Sequence, residues 1–238
     1  FPESNNTGFA TEHGVIFEPI SNEIHSNKIK KKIYDFESIE HPIYRFIAAS
    51  PDGITEDGEL VEYKNPITRK IIGVPKPDYW VQTQLQMEVT NLRRCHYVEC
   101  SYNQYLCLED FLESNDEFKG VILIYFDLEQ KKHIIYSKLN IQLSEYFSWY
   151  KNEIDKIKNI SEDIHSELLW WGLNQYSCFI VYRDKKWFKD TLPLFHQFWD
   201  DVLKCRNDNS LLPIKNTKEK KTTKNNLDIE CKINYDDY

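Results

Sequence analysis

A chain of 238 residues with 14% aromatic and 41% hydrophobic side chains is long enough for one sizeable core and too rich in large apolar groups for a disordered protein. No run is apolar enough to span a bilayer and the first residues do not read as a signal peptide, which points away from membrane-embedded and exported classes. The formal charge of −8 argues against a uniformly basic nucleic-acid binder, so any grip on phosphates has to come from local patches.

In chain order, Thr11 to about Ser26 reads as an amphipathic helix, with Val15, Phe17 and Ile20 as core and Glu18 an acid within a mostly apolar segment. A Ser50-Pro51-Asp52-Gly53 turn follows, then a β-type run from Glu59 to Lys64 that Asn65-Pro66 brings to an end. Asp78 begins a strong helix running to about Leu92. Val81, Leu85, Val89 and Leu92 recur at helical spacing as its buried stripe, with Gln82, Gln84, Gln86 and Glu88 on the other faces. Gln84 and Glu88 share a side. A strand is expected around Cys95 to Ser101, and paired strands at Lys119–Asp127 and Lys132–Leu139. Gln142 to about Asn159 reads as a helix, Ser166–Leu173 as a second short helix, and Ile180–Asp184 as a strand leading into a helix to about Leu203. After Cys205 the composition turns to Asn, Lys and Asp, predicting a folded domain over 1–205 and a mostly disordered polar tail over 206–238. The chain begins with Phe, and the expectation is that an N-terminal part is missing.

The six cysteines are scattered and none forms Cys-x-x-Cys, which speaks against a zinc or iron–sulfur motif and for a reducing, intracellular compartment. Basic residues cluster at Lys28–Lys32, at Lys64, Arg69 and Lys70, at Arg93-Arg94, and at Arg183, Lys185 and Lys186. Each cluster is more often a solvated face than a contact with DNA.

The chemistry concentrates in Pro51-Asp52 and, ten positions on, Glu62-x-Lys64. Residues i and i+2 of a strand point to one face, so Glu62 and Lys64 emerge together and Asp52 can fold back beside them. Two carboxylates with a lysine are equipped to hold a hard divalent cation beside a water to be activated. On these residues Asp52 and Glu62 are candidate ligands of Mg²⁺ or Mn²⁺, with the backbone carbonyl of Tyr63 as a third. Lys64 is the candidate to position and deprotonate the water. A hairpin of solvated charges is the plain alternative.

This pattern resembles the PD-(D/E)XK nuclease signature. The wider order of motifs resembles the lambda-exonuclease-like, YqaJ-type viral recombinases, the alkaline exonucleases of that group. It comprises Gly14-x-x-x-Glu18, Ala49 to Gly53, Leu60 to Pro66, Tyr79-Trp80-x-Gln82-x-Gln84-x-Gln86-Met87-x-Val89-Thr90 and the closing Arg183-Asp184 with Trp187. The resemblance covers most of residues 13–205 and is similar in style to the branch found in large eukaryotic DNA viruses. It implies an α/β, restriction-endonuclease-like PD-(D/E)XK core, with a central mixed β-sheet flanked by helices. It adds Glu18 to the metal set, with two cations ~3.5–4 Å apart, and gives Gln84 the task of orienting Lys64 or the water. It further implies duplex DNA ends as substrate, 5′→3′ polarity, a single-strand annealing partner, a role in viral DNA recombination, repair or replication, and a place in the host cytoplasm or nucleus. A structure-selective endonuclease on the same core, a non-catalytic DNA-binding protein, and a glycosidase using Asp52 and Glu62 are the competing readings. The glycosidase leaves Lys64 and the glutamine-rich helix without a task.

Overall fold

The structure, a computed structural model, describes residues 6–162 and 164–208. The expected polar tail from residue 209 onward, including Cys231, lies outside them. The chain forms α1 (Asn6–Ile29), β1 (Ile33–Tyr34), β2 (Ile39–Glu40), β3 (Ala48–Ala49), β4 (Gly53–Thr55), β5 (Leu60–Lys64), α2 (Pro77–Thr90), β6 (Arg94–Tyr105), α3 (Leu108–Glu113), β7 (Lys119–Phe126), β8 (Lys132–Tyr136), α4 (Leu143–Lys158), β9 (Ser166–Tyr182) and α5 (Lys185–Asn207). Seven strands make one sheet in the order β1-β4-β5-β6-β9-β7-β8, and β2-β3 make a separate ribbon. Among the described residues only β5 and β6 run parallel in the large sheet, because α2 carries the chain back between them, as a parallel pair requires. The α/β class with a mixed sheet flanked by helices is therefore as expected. No helix among the described residues is long and apolar enough to cross a membrane.

Alternation along β5 decides which helix each residue meets. Val61 and Tyr63 face α1, packing with its Phe17, Ile20 and Ile24 and with Val98 and Cys100 of β6. Leu60 faces the other way, against Met87 of α2 with Cys95, Tyr97 and Val181. Glu62 and Lys64 share the parity of Leu60 and therefore look toward α2. α2 begins at Pro77, where a missing N–H costs nothing, and ends at Asn91 in the left-handed conformation (φ 56°), a residue type suited to that cap.

Three expectations need correction. Ser166–Leu173 is not a helix but the first half of the 17-residue strand β9. Its apolar Leu168-Leu169-Trp170-Trp171 run packs on both faces of the sheet, so it lacks the alternation that marks a strand. The buried face of α2 is Thr83, Gln84, Gln86, Met87 and Val89, rotated from the apolar stripe, because polar groups of α2 are enlisted by β5 and β9. Val15 is exposed at 60%, while Phe17 and Ile20 are core as expected.

Candidate active site

The β4–β5 hairpin places the acids. The turn before β4 brings the Asp52 carboxylate onto the backbone of β5, where Oδ2 accepts from the Tyr63 N–H at 2.7 Å. A strand residue directs its N–H and C=O to the same edge, so the Tyr63 carbonyl also leaves on the Asp52 side. One residue earlier, Glu62 is 1% exposed. Its Oε1 accepts from Gln82 Nε2 at 2.7 Å and its Oε2 from Gln86 Nε2 at 2.7 Å. Lys64 donates to the same Oε1, and its ammonium also lies 5.0 Å from the centre of the Tyr79 ring. Both oxygens of a buried carboxylate are thus fixed in orientation by two amides and an amine.

Glu18 arrives from α1, which is tied to the end of β5. Ser21 donates to Asn65 Oδ1 at 2.7 Å and Asn65 Nδ2 donates to the Gly14 carbonyl at 3.4 Å. Glu18, Asp52, Glu62, Tyr63, Lys64 and Gln82 line one cleft of about 840 Å³, which Phe9, Ile67 and Arg69 also border. Arg69 is itself engaged with Glu99 at 2.6 Å.

The electrostatics record how crowded the acids are. Burial, then the neighbouring Glu62, pushes the Asp52 carboxyl up to about 8, against the opposing pull of the Tyr63 N–H; Glu18 adds to the rise and Lys64 lowers it. Burial and Glu62 likewise raise Glu18, with Lys64 opposing and Asp35 adding. Like charges sharing a small site resist simultaneous ionisation. One lysine opposes three carboxylates here, and a divalent cation would relieve the remaining repulsion. The donors are all oxygens, which suits Mg²⁺ or Mn²⁺.

Gln84 does not reach this cleft. Its Nε2 donates to the Tyr182 carbonyl at 2.9 Å and its Oε1 accepts from the Asp184 N–H at 2.7 Å. Asp184 in turn caps α5 through the Trp187 N–H at 2.8 Å. Gln84 therefore clamps the corner between β9 and α5. On the same side Glu88 takes Arg183 Nε at 2.8 Å. The glutamines that face the acids are Gln82 and Gln86, an i, i+4 pair whose signal was present in the sequence but equal in kind to that of Gln84 and Glu88. The basic clusters are largely neutralised: Lys28 pairs with Glu117, Lys31 with Asp57, Arg94 with Glu59, Arg183 with Glu88 and Lys186 with Asp190.

Residues 2–93 carry every acid of this cleft and match a family model. That model describes the YqaJ-like viral recombinase domain, to which this part of the chain is similar. A curated relative is an uncharacterized protein of Acanthamoeba polyphaga mimivirus, 27% identical over 80% of this chain. The chain spans 43% of that relative's length. Among solved structures, that of LHK-Exo in complex with dAMP is similar at 20% identity and a TM-score of 0.47, covering 88% of this chain and 78% of the other. An alkaline exonuclease (LHK-Exo) from Laribacter hongkongensis is similar at 23% identity and a TM-score of 0.38, covering 66% of this chain and 69% of the other.

Proposed function

We propose that this chain is a metal-dependent deoxyribonuclease acting as an exonuclease on duplex DNA, with 5′→3′ polarity, in viral DNA recombination, repair or replication. The observation that carries the reading is the convergence of Glu18, Asp52 and Glu62 on one cleft with Lys64. The match of residues 2–93 to the YqaJ-like viral recombinase domain supports it.

Asp52, Glu62 and the Tyr63 carbonyl would hold one Mg²⁺ or Mn²⁺, and Glu18 would help hold a second. Bound there, the ions would polarise the phosphate and lower the pKa of a water. Lys64, fixed beside Glu62, orients that water, accepts or relays its proton, and offsets charge developing on the phosphate oxygens. Gln82 and Gln86 keep the Glu62 carboxylate from rotating away, as groups behind a ligand commonly do. A single-strand annealing protein is the partner that the resulting 3′ single strand would serve, in the host cytoplasm or nucleus.

The test offers end-labelled linear duplex, covalently closed circles and a four-way junction to the full chain with Mg²⁺ and with EDTA. Progressive release of 5′-terminal mononucleotides from linear DNA, only with the ion present, is expected. Rapid cutting of closed circles or internal cutting of junctions would replace the exonuclease with an endonuclease, and hydrolysis in EDTA would remove the metal from the scheme.

A further inference from the structure

Two turns beyond Glu18, α1 buries a second cluster of chemically active groups that the cleft does not use. His25 is 0% exposed and His96 of β6 is 6% exposed. Their rings meet, His25 Nε2 to His96 Nδ1, at 2.9 Å. Cys178 of β9 stands on the rung beside them, opposite Val98. One nitrogen from each ring and the Cys178 Sγ all lie within 4.8 Å of one another.

The far side of each ring is already held. His25 Nδ1 lies 2.8 Å from the Tyr176 hydroxyl and His96 Nε2 lies 2.6 Å from Glu59 Oε2. Glu59 is itself engaged by Arg94. An oxygen behind each imidazole is the arrangement that fixes the tautomer and aims the near nitrogen of a metal-binding histidine. The three residues come from a helix and two paired strands, so their backbones are fixed before any ion arrives. Cys178 is the most exposed of the three, so solvent approaches the cluster from its side.

We propose that His25 Nε2, His96 Nδ1 and Cys178 Sγ form a zinc site with a fourth position open on the Cys178 side. Two imidazoles and a thiolate suit Zn²⁺ and not Mg²⁺, which separates this site chemically from the all-oxygen cleft. Tetrahedral bonding at ~2.0–2.1 Å per nitrogen sets the two nitrogens ~3.3 Å apart, so the rings must part by a few tenths of an ångström and turn until both lone pairs meet at the ion instead of at each other. Without an ion, the bonding network assigns Tyr176 O–H to His25 Nδ1, His25 Nε2–H to His96 Nδ1, and His96 Nε2–H to Glu59. On binding, the His25 proton moves from Nε2 to Nδ1 and is donated to the Tyr176 oxygen, which keeps its own proton. His96 already presents a lone pair. Cys178 gives up its thiol proton as the sulfur–zinc bond forms, so one proton is released per ion. The site would pin α1 to β6 and β9 seven residues beyond Glu18.

This proposal does not rest on the nuclease reading, and its experiment does not measure hydrolysis. The full chain, stripped of metal, is titrated with Co²⁺ in excess Mg²⁺, which occupies the carboxylate cleft. A thiolate-to-cobalt charge-transfer band that saturates at one equivalent and is abolished by added Zn²⁺ is expected. Cys178→Ser should lose the band while keeping its circular dichroism, and Cys107→Ser should keep it. Zn²⁺ should raise the melting temperature of the parent protein and not that of Cys178→Ser. Absence of the band in the parent, its survival in Cys178→Ser, or an equal rise in melting temperature in both would overturn the site and leave the pair as a hydrogen-bonded histidine relay alone.

Discussion

The middle of α1 and its C-terminal turns differ in how their polar groups are satisfied. Around Glu18 the side chains are charged, three carboxylates against Lys64, and line a cleft, and Asp52 is driven up by burial and by Glu62. Around His25 they are buried and bonded in sequence, Tyr176 to His25 to His96 to Glu59. Folding favours the second arrangement, since every donor there meets an acceptor. The first is tolerated at a cost to stability, which is usual where a site must bind something the chain does not supply. The cleft should therefore behave as chemistry bought with stability, and the relay as stability.

Substitutions that remove cleft acids test this most severely. Asp52→Ala or Glu62→Ala should bring Mg²⁺-dependent DNA hydrolysis below detection; metal-free stability in denaturant should hold or rise in Asp52→Ala and fall by about 1–3 kcal/mol in Glu62→Ala, which strands Gln86, Gln82 and Lys64. Turnover at the parental rate in either variant would show that the reaction lies elsewhere. Lys64→Ala should cost about 10²–10⁴-fold in turnover, the usual range for a positioned proton-transfer group, with DNA affinity retained. Lys64→Arg should not restore it, because a guanidinium holds its proton and differs in shape; recovery in single-turnover assays would show that charge alone suffices.

The two faces of α2 sharpen the comparison within one helix. Gln82→Ala or Gln86→Ala should lower turnover about 10–100-fold, the range seen for groups that orient a metal ligand. Gln84→Ala should instead cost about 1–3 kcal/mol of stability, two hydrogen bonds at about 0.5–1.5 kcal/mol each, read as a shift in the urea midpoint. His96→Ala, which strands both His25 and Glu59, should cost a similar amount. A Gln84 variant of normal stability and poor turnover would return that residue to the cleft.

The pH dependence of the metal-free protein tests the cleft without any ion. Asp52 is raised from 3.8 to about 8 in the folded state. Between those values the folded form holds more protons than the unfolded one, so stability is full below the lower value and falls as pH rises toward the upper. Denaturation across that range should show the decline, and Asp52→Asn should flatten it. A rise in stability over the same interval in the parent protein would contradict the crowding of acids described above.

Much of the cleft could be read from residues alone because its logic is local. A strand alternates with period two, so Glu62 and Lys64 had to share a face wherever β5 was placed, and the Pro51-Asp52 turn lies within one hairpin of them. Helix and strand identities followed where the pattern was one-sided, as in α4. They failed in β9, where Trp170 and Trp171 point into opposite layers, and in the buried face of α2. Three glutamines at alternate positions around a helix are equivalent until the sheet docks, and only the docked sheet put Gln82 and Gln86 on Glu62 and Gln84 on Tyr182 and Asp184.

The tertiary structure alone decided the histidine–cysteine cluster. Cysteine spacing argued against zinc, since a local motif is the signature visible in a sequence. His25, His96 and Cys178 meet only because α1 packs on β6 and because β6 and β9 pair. The sequence thus determined an acid–lysine hairpin and the helices and strands around it, through periodicities that act over a few residues. Which side chains each helix presents to that hairpin, and which distant residues meet, was set by packing between elements far apart in the chain.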